Sequence, residues 1–263
     1  MITSRMNKRA FILVLLLGVG LLSNAQPQIR SKQHPLEWPL LKSGERVFVH
    51  LGYSCSYNRE TLIPNWVAYE LTSDEVNPPE KLTGKNSFRW DPETKGTRTA
   101  YREDYKNDAG WQRGHMAPRA DMRWSIQAYE ESFYLSNICP QNGELNSGDW
   151  ATTERLARRM ATRYGSVYVI CGPIVGSNKH GKLGIHGVVI PDAFFKAILV
   201  QIDGVFHSIA MVLPNEPTHH DSRYYWCSVN ELELQLGVDF FPALDDSIEE
   251  TCEEMVEPNI WGR

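Results

Sequence analysis

The sequence predicts a single α+β domain built on a mostly antiparallel sheet, and three observations carry that prediction. Strand-like apolar alternation opens the chain after its first polar stretch, one long amphipathic helix lies near the middle, and three further apolar segments follow it. Strands, then a helix, then strands again place helices against one sheet rather than between successive parallel strands.

RVFVHLGYSCSYN (46–58) and NWVAYELT (65–72) alternate like half-buried strands, with a turn at Leu62-Ile63-Pro64 between them. Residues 73–110 are rich in charge, Pro, Gly and Asn, interrupted by Phe88-Arg89-Trp90, and read as loops. Residues 125–135 read as helix. Residues 136–146, with Pro140, Gly143 and several asparagines, read as irregular chain. From Asp149 to Arg163 the spacing brings Trp150, Leu156 and Met160 to one side of an amphipathic helix. The apolar segments 166–175, 187–202 and 206–214 read as central strands, and the acidic tail as one or two short helices.

The first 25 residues hold Arg5, Lys8 and Arg9 with no acid, then an apolar run over 10–22, then Ser23-Asn24-Ala25. This is the pattern of a cleavable secretory signal, and the run is shorter than the ~20 residues that span a bilayer. The expected product is exported, periplasmic or secreted. Residues 26–44 read as an extended arm and 45–263 as one domain. The formal net charge is −5. An acidic chain repels polyphosphate at long range, so nucleic-acid binding would have to rest on local charge. Cys55, Cys139, Cys171, Cys227 and Cys252 are too widely spaced for a zinc knuckle or a redox pair. An oxidising compartment would allow one or two disulfides, in a pairing that spacing does not fix. Cys171, inside SVYVICGPIV, reads as a buried free thiol.

Two clusters carry candidate chemistry. In WQRGHMAPRADM (111–122), His115 follows a glycine and is flanked by Arg113 and Arg119. Glycine lets the main chain approach a bulky ligand, and guanidinium groups suit phosphate. Nearby cations also favour a neutral imidazole able to accept a proton. The second cluster is SNICPQNGELNSGDWATTERLARR (136–159). Asn146 precedes Asp149 by three, as an N-cap would, and steps of four reach Trp150, Glu154 and Arg158 on one helix side. A carboxamide oxygen and a carboxylate suit a hydrated hard cation such as magnesium. Each cluster taken alone also fits a purely structural role, as a solvated loop or a capped helix with a Glu–Arg pair.

Together the clusters resemble the sugar-non-specific DNA/RNA endonuclease family of the ββα-metal superfamily, the group of endonuclease G and secreted bacterial nucleases. The family signature, DRGH followed by Met or a similar residue, stands here as QRGHMAPRA and differs only at Gln112. A second pattern is met by Ser136, Asn137, Pro140, Gln141, Leu145, Asn146, Trp150 and Glu154. The resemblance implies the ββα-metal nuclease fold, with the histidine on a β-hairpin packed against the asparagine's helix. It implies His115 as general base and Asn146 as the direct ligand of Mg2+, with Mn2+ or another divalent cation able to substitute. Glu154 would orient water near the metal, Arg113 and Arg158 would contact phosphate, and Asn137 and Arg119 would hold the loop or the substrate. DNA and RNA would be cut with little sequence preference to 5′-phosphate products, with activity falling on the acid side as His115 takes up a proton. Two rivals remain open on sequence. One is a Cys–His hydrolase using Cys139; the other is a nucleic-acid-binding relative of the family made inactive by the Gln112 change.

Overall fold

The computed structural model describes residues 35–106 and 110–262. The expected signal segment and residues 26–34 of the expected arm lie outside them. Residues 35–44 form neither helix nor strand, but they are anchored: Trp38 lies against Trp66, 6.3 Å between ring centres, and Leu40 N–H donates to the Asp239 carbonyl.

The first three strands are β1 (Val47–Val49), β2 (Ser54–Asn58) and β3 (Ile63–Thr72). An excursion over residues 73–165 then holds α1 (Ser73–Val76), β4 (Trp111–His115), α2 (Ile126–Glu131), β5 (Ile138–Asn142), α3 (Gly143–Ser147) and α4 (Asp149–Tyr164). The chain returns as β6 (Ser166–Ile174) and continues through β7 (Lys182–Leu183), β8 (Val188–Val189), β9 (Ala193–Ile202), β10 (Val205–Pro214) and β11 (Trp226–Cys227). It ends in α5 (Val229–Leu236), α6 (Asp246–Glu253) and α7 (Pro258–Trp261).

Seven strands form one sheet in the order β1-β2-β3-β6-β9-β10-β11, every neighbouring pair antiparallel. The predicted α+β class and antiparallel sheet are therefore present. β9 is buried on both faces, which is why its sequence is an almost unbroken apolar run. Phe194, Ile198 and Val200 point into a core shared with Trp150, Leu156 and Met160 of α4. Phe195, Ala197 and Leu199 point into a second core closed by Val229, Leu232, Phe240 and Phe241. Asp203-Gly204, both at positive φ, turn β9 into β10 as a two-residue hairpin.

Several sequence expectations are corrected here. Residues 46–58 are two strands of a hairpin, not one strand. Residues 73–110 are not all loop: Thr72 and Glu75 form a capping box that starts α1. Residues 138–142 are a strand despite Pro140, which pairs with Arg113 in a two-stranded ribbon where a missing N–H is tolerated. The segment 187–202 is broken around Pro191 into β8 and β9. Asn146 is not an N-cap: Asn142 caps α3 by accepting from Glu144 N and Leu145 N, and Gly148 stands before α4. All five cysteines are free thiols, Cys171 buried as expected.

α6 carries a stability penalty. Glu253 is 2% exposed, and its Oε1 has no hydrogen-bond partner. Burial first, then Glu233, Glu249 and Asp239, raise its pKa from 4.5 to about 9. A raised carboxyl favours folding while protonated in both states, and that favour is lost as pH climbs from 4.5 through about 9. Glu253→Gln should therefore raise the melting temperature at alkaline pH and leave it nearly unchanged at acid pH. Relief of even ~1 kcal/mol corresponds to about 2–4 °C in a domain of this size. Equal melting curves for both proteins at high pH would contradict the cause given for the shift.

Candidate active site

The site is built by the hairpin of β4 and β5 and by the helices that follow. β4 (WQRGH) pairs with β5 (ICPQN) in antiparallel register, Gly114 opposite Cys139 and His115 opposite Ile138. Gly114 is required by packing: a Cβ there would stand 2.0 Å from Oε1 of buried Gln141. The main chain just after the strand is held by buried side chains from three elements. Trp150 Nε1 donates to the His115 carbonyl at 3.3 Å, and the Cys171 thiol donates to that of Met116 at 3.3 Å. The Asn137 amide donates to the Ala117 carbonyl at 2.9 Å and accepts from Ala117 N–H at 2.8 Å.

A cleft of about 350 Å³ opens there, lined by Phe88, Arg113, His115, Arg119, Asn146 and Glu154 among others. Two larger hollows hold no histidine. His115 lies in an aromatic slot, its ring centre 5.4 Å from Phe88 and 5.1 Å from Phe133. Its Nε2 is screened from solvent and has no hydrogen-bond partner. Burial, helped by the positive charge of Arg119, lowers the imidazole pKa to about 3. The ring is thus neutral at physiological pH, as expected, but chiefly through desolvation. Arg113 is steadied by stacking on Phe88, 4.6 Å from guanidinium carbon to ring centre.

Asn146 Nδ2 donates to Gln112 Oε1 at 2.8 Å. That bond fixes which end of the amide is a donor and leaves Oδ1 as a possible ligand. Gln112 therefore keeps an acceptor at the position where the family signature has an acid, and only the charge is lost. Burial raises Glu154 to about 7; Lys196, Arg158 and Arg155 pull it down and Asp121 pushes it up. Two oxygen donors, Asn146 and Glu154, in one cleft suit a hard cation that keeps much of its water.

The structure brings together His115, Arg113, Arg119, Asn146 and Glu154, and it moves two expected residues out of the cleft. Arg158 is bonded to buried Asp121 at 2.5 Å and lies 3.9 Å from Glu154. Its guanidinium is engaged as a counter-ion to Asp121 beside Glu154, and it is not among the residues that line the cleft. Asn137 is fully buried and its amide is spent on the main chain of Ala117 and Ser132. In this arrangement it holds the loop. Cys139 is fully buried with its thiol pKa pushed up by desolvation, which removes it as a nucleophile.

Sequence reasoning missed Asp121, Phe88, Phe133 and Lys196. The lone lysine inside an apolar run was a legible signal; the Asp121–Arg158 pair, 37 residues apart, was not. A further trio, His50, Cys55 and Asp91, places potential ligand atoms within 4.8 Å. Asp91 already accepts from His50, Ser136 and Glu93 N–H, so the trio is a satisfied hydrogen-bond network.

The family model for DNA/RNA non-specific endonuclease matches residues 40–247. The chain is 36% identical over 219 residues to Nuclease EXOG, mitochondrial, of Danio rerio, covering 78% of this chain and 63% of that protein. It is 32% identical to Nuclease C1 of Cunninghamella echinulata, covering 74% of this chain and 82% of the relative. A crystal structure of the EndoG/EndoGI complex superposes with a TM-score of 0.71 at 28% identity, covering 78% of this chain and 89% of that one. The chain spans just under two thirds of the length of the EXOG relatives. Relatives from Danio rerio, Homo sapiens, Schizosaccharomyces pombe and Saccharomyces cerevisiae are named as mitochondrial nucleases, which overturns the expectation of export. A basic start before an apolar run did not by itself specify an address. No helix among the described residues is long and apolar enough to cross a membrane. With the ββα arrangement of β4, β5 and the helices after them and a match over most of its length, the chain belongs to the DNA/RNA non-specific endonuclease family.

Proposed function

We propose that the chain is a magnesium-dependent endonuclease that hydrolyses phosphodiester bonds of DNA and RNA, with His115 as the base that activates water. The observation that carries this reading is the neutral, unpartnered imidazole in a cleft shared with Asn146, Glu154 and two arginines. His115 accepts the proton of the attacking water, and Phe88 and Phe133 hold its ring in place. Asn146 Oδ1 holds the cation and Glu154 orients the water beside it. A divalent cation bound there supplies charge stabilisation at the phosphate and at the departing oxygen. Arg113 and Arg119 position the phosphate, which carries no base information, so sequence preference is low.

Because water is the nucleophile, nothing that DNA lacks is needed. The expected products from both DNA and RNA carry 5′-phosphate and 3′-hydroxyl ends, and a chelator should abolish their formation. End-labelling of digested plasmid and structured RNA checks this. Cyclic 2′,3′-phosphate ends on RNA together with inert DNA would show that the substrate's own hydroxyl attacks.

The acid side of the rate profile is assigned to Glu154 rather than His115, because burial raises the carboxyl to about 7 and lowers the imidazole to about 3. Activity should fall as pH drops below neutrality. More magnesium should shift the fall to lower pH, since a cation bound beside Glu154 favours its ionised form. A midpoint that ignores magnesium concentration would assign the limb to another group.

A further inference from the structure

Lys196 is the charged residue at an inward position of β9, between Phe194 and Ile198 on the face that meets α4. It is 0% exposed, and its Nζ has no hydrogen-bond partner. An ammonium group in that position is expensive to bury. The Nζ lies 4.1 Å from the ring centre of Trp150, itself fully buried. The same indole donates its N–H to the carbonyl of His115. A cation over the indole face fixes the ring plane and polarises the N–H toward a better donor.

We propose that Lys196 is a positioning residue for the nuclease reaction, acting through Trp150 on the main chain of His115. The proposal rests on the reading of His115 as the base. It explains why a cost in stability is kept in the middle of the sheet: rules of local consistency are broken mostly where function requires it. Charge balance is the competing role for the same lysine. With Arg158, Lys196 offsets Asp121 and Glu154 beside the cleft, and losing it would leave an extra negative charge facing phosphate. The two roles separate in steady-state kinetics. Loss of positioning lowers kcat, whereas extra negative charge raises KM in a salt-dependent way.

The test is Lys196→Met in the full chain, measured with plasmid DNA under saturating magnesium beside Trp150→Phe and the double variant. Lys196→Met should lose at least ~10-fold in kcat with KM within about twofold. Trp150→Phe, which keeps a ring and removes the N–H, should give the same kcat-only loss whether or not the lysine variant folds. The double variant should be little worse than either single one, because both break one link. A wild-type kcat in Trp150→Phe, a loss in Lys196→Met confined to KM, or fully multiplicative losses in the double variant would overturn the proposal. His115→Ala run in parallel tests the reading beneath it: activity surviving there removes the base assignment, while an inactive His115→Ala beside a normal Lys196→Met removes only the role of Lys196.

Discussion

His115→Ala should lower turnover by at least ~10²–10⁴-fold while leaving the melting temperature and DNA affinity close to wild type. The size follows from losing the proton acceptor of the attacking water. The specificity of the loss follows from how the segment is held. The main chain of residues 115–117 is fixed by Trp150, Cys171 and Asn137 through its own carbonyls and N–H groups, so removing the imidazole leaves those bonds intact. What the variant loses in packing is the contact with Phe88 and Phe133 at the edge of the cleft. Single-turnover cleavage and a filter-binding titration, with a thermal melt on the same preparation, measure the three quantities. More than about a tenth of wild-type turnover, judged against the usual worth of a general base, would mean that another group takes the proton.

Asn146→Ala should raise the magnesium concentration needed for half-maximal activity and cut turnover by about 10–100-fold, the loss typical of disturbed metal sites. Its melting temperature should not fall. The residue sits inside α3, whose cap is Asn142, and alanine is a better helix former than asparagine. Had Asn146 been the cap that its spacing from Asp149 suggested, the variant would have lost ~1 kcal/mol of stability. Activity at each magnesium concentration and a thermal melt separate the outcomes. An unchanged metal requirement would place the ligand elsewhere in the cleft, with Glu154 the next oxygen donor to test.

How far the sequence could be read depended on the range of the interactions involved. β3, β9, β10 and α4 were legible because periods of two or 3.6 residues are local, and a buried face imposes them. That His115, Asn146 and Glu154 would share one cleft was legible because two short motifs carry them. β5 was not, since Pro140 and two asparagines argue for irregular chain until β4 is known to lie beside it. The break between α3 and α4 was hidden as well: steps of four run smoothly from Asn146 to Arg158, and only the backbone at Gly148, φ −102° and ψ −101°, interrupts them. Arg158 looked free for phosphate because its partner, Asp121, lies in the other motif. Pairings of that kind are set by the closed fold and leave no periodic trace.

The excursion over residues 73–165 leaves the sheet at Thr72 and rejoins it at Ser166, and these two residues are partners in the β3–β6 ladder. The Ser73 N–H even donates to the Gly165 carbonyl at 2.7 Å. The nuclease machinery is thus a detour whose departure and arrival share one hydrogen bond, hung from a sheet that runs on as if uninterrupted. The entropy of closing such a detour grows only with the logarithm of its length, about 0.6 kcal/mol for each doubling. Its outer stretches can therefore lengthen or shorten through evolution with little strain on strand pairing, provided that β4, β5 and the helices behind them keep their grip on one another. Substrate range can drift by remodelling the rim of the detour, while the scaffold below registers almost nothing.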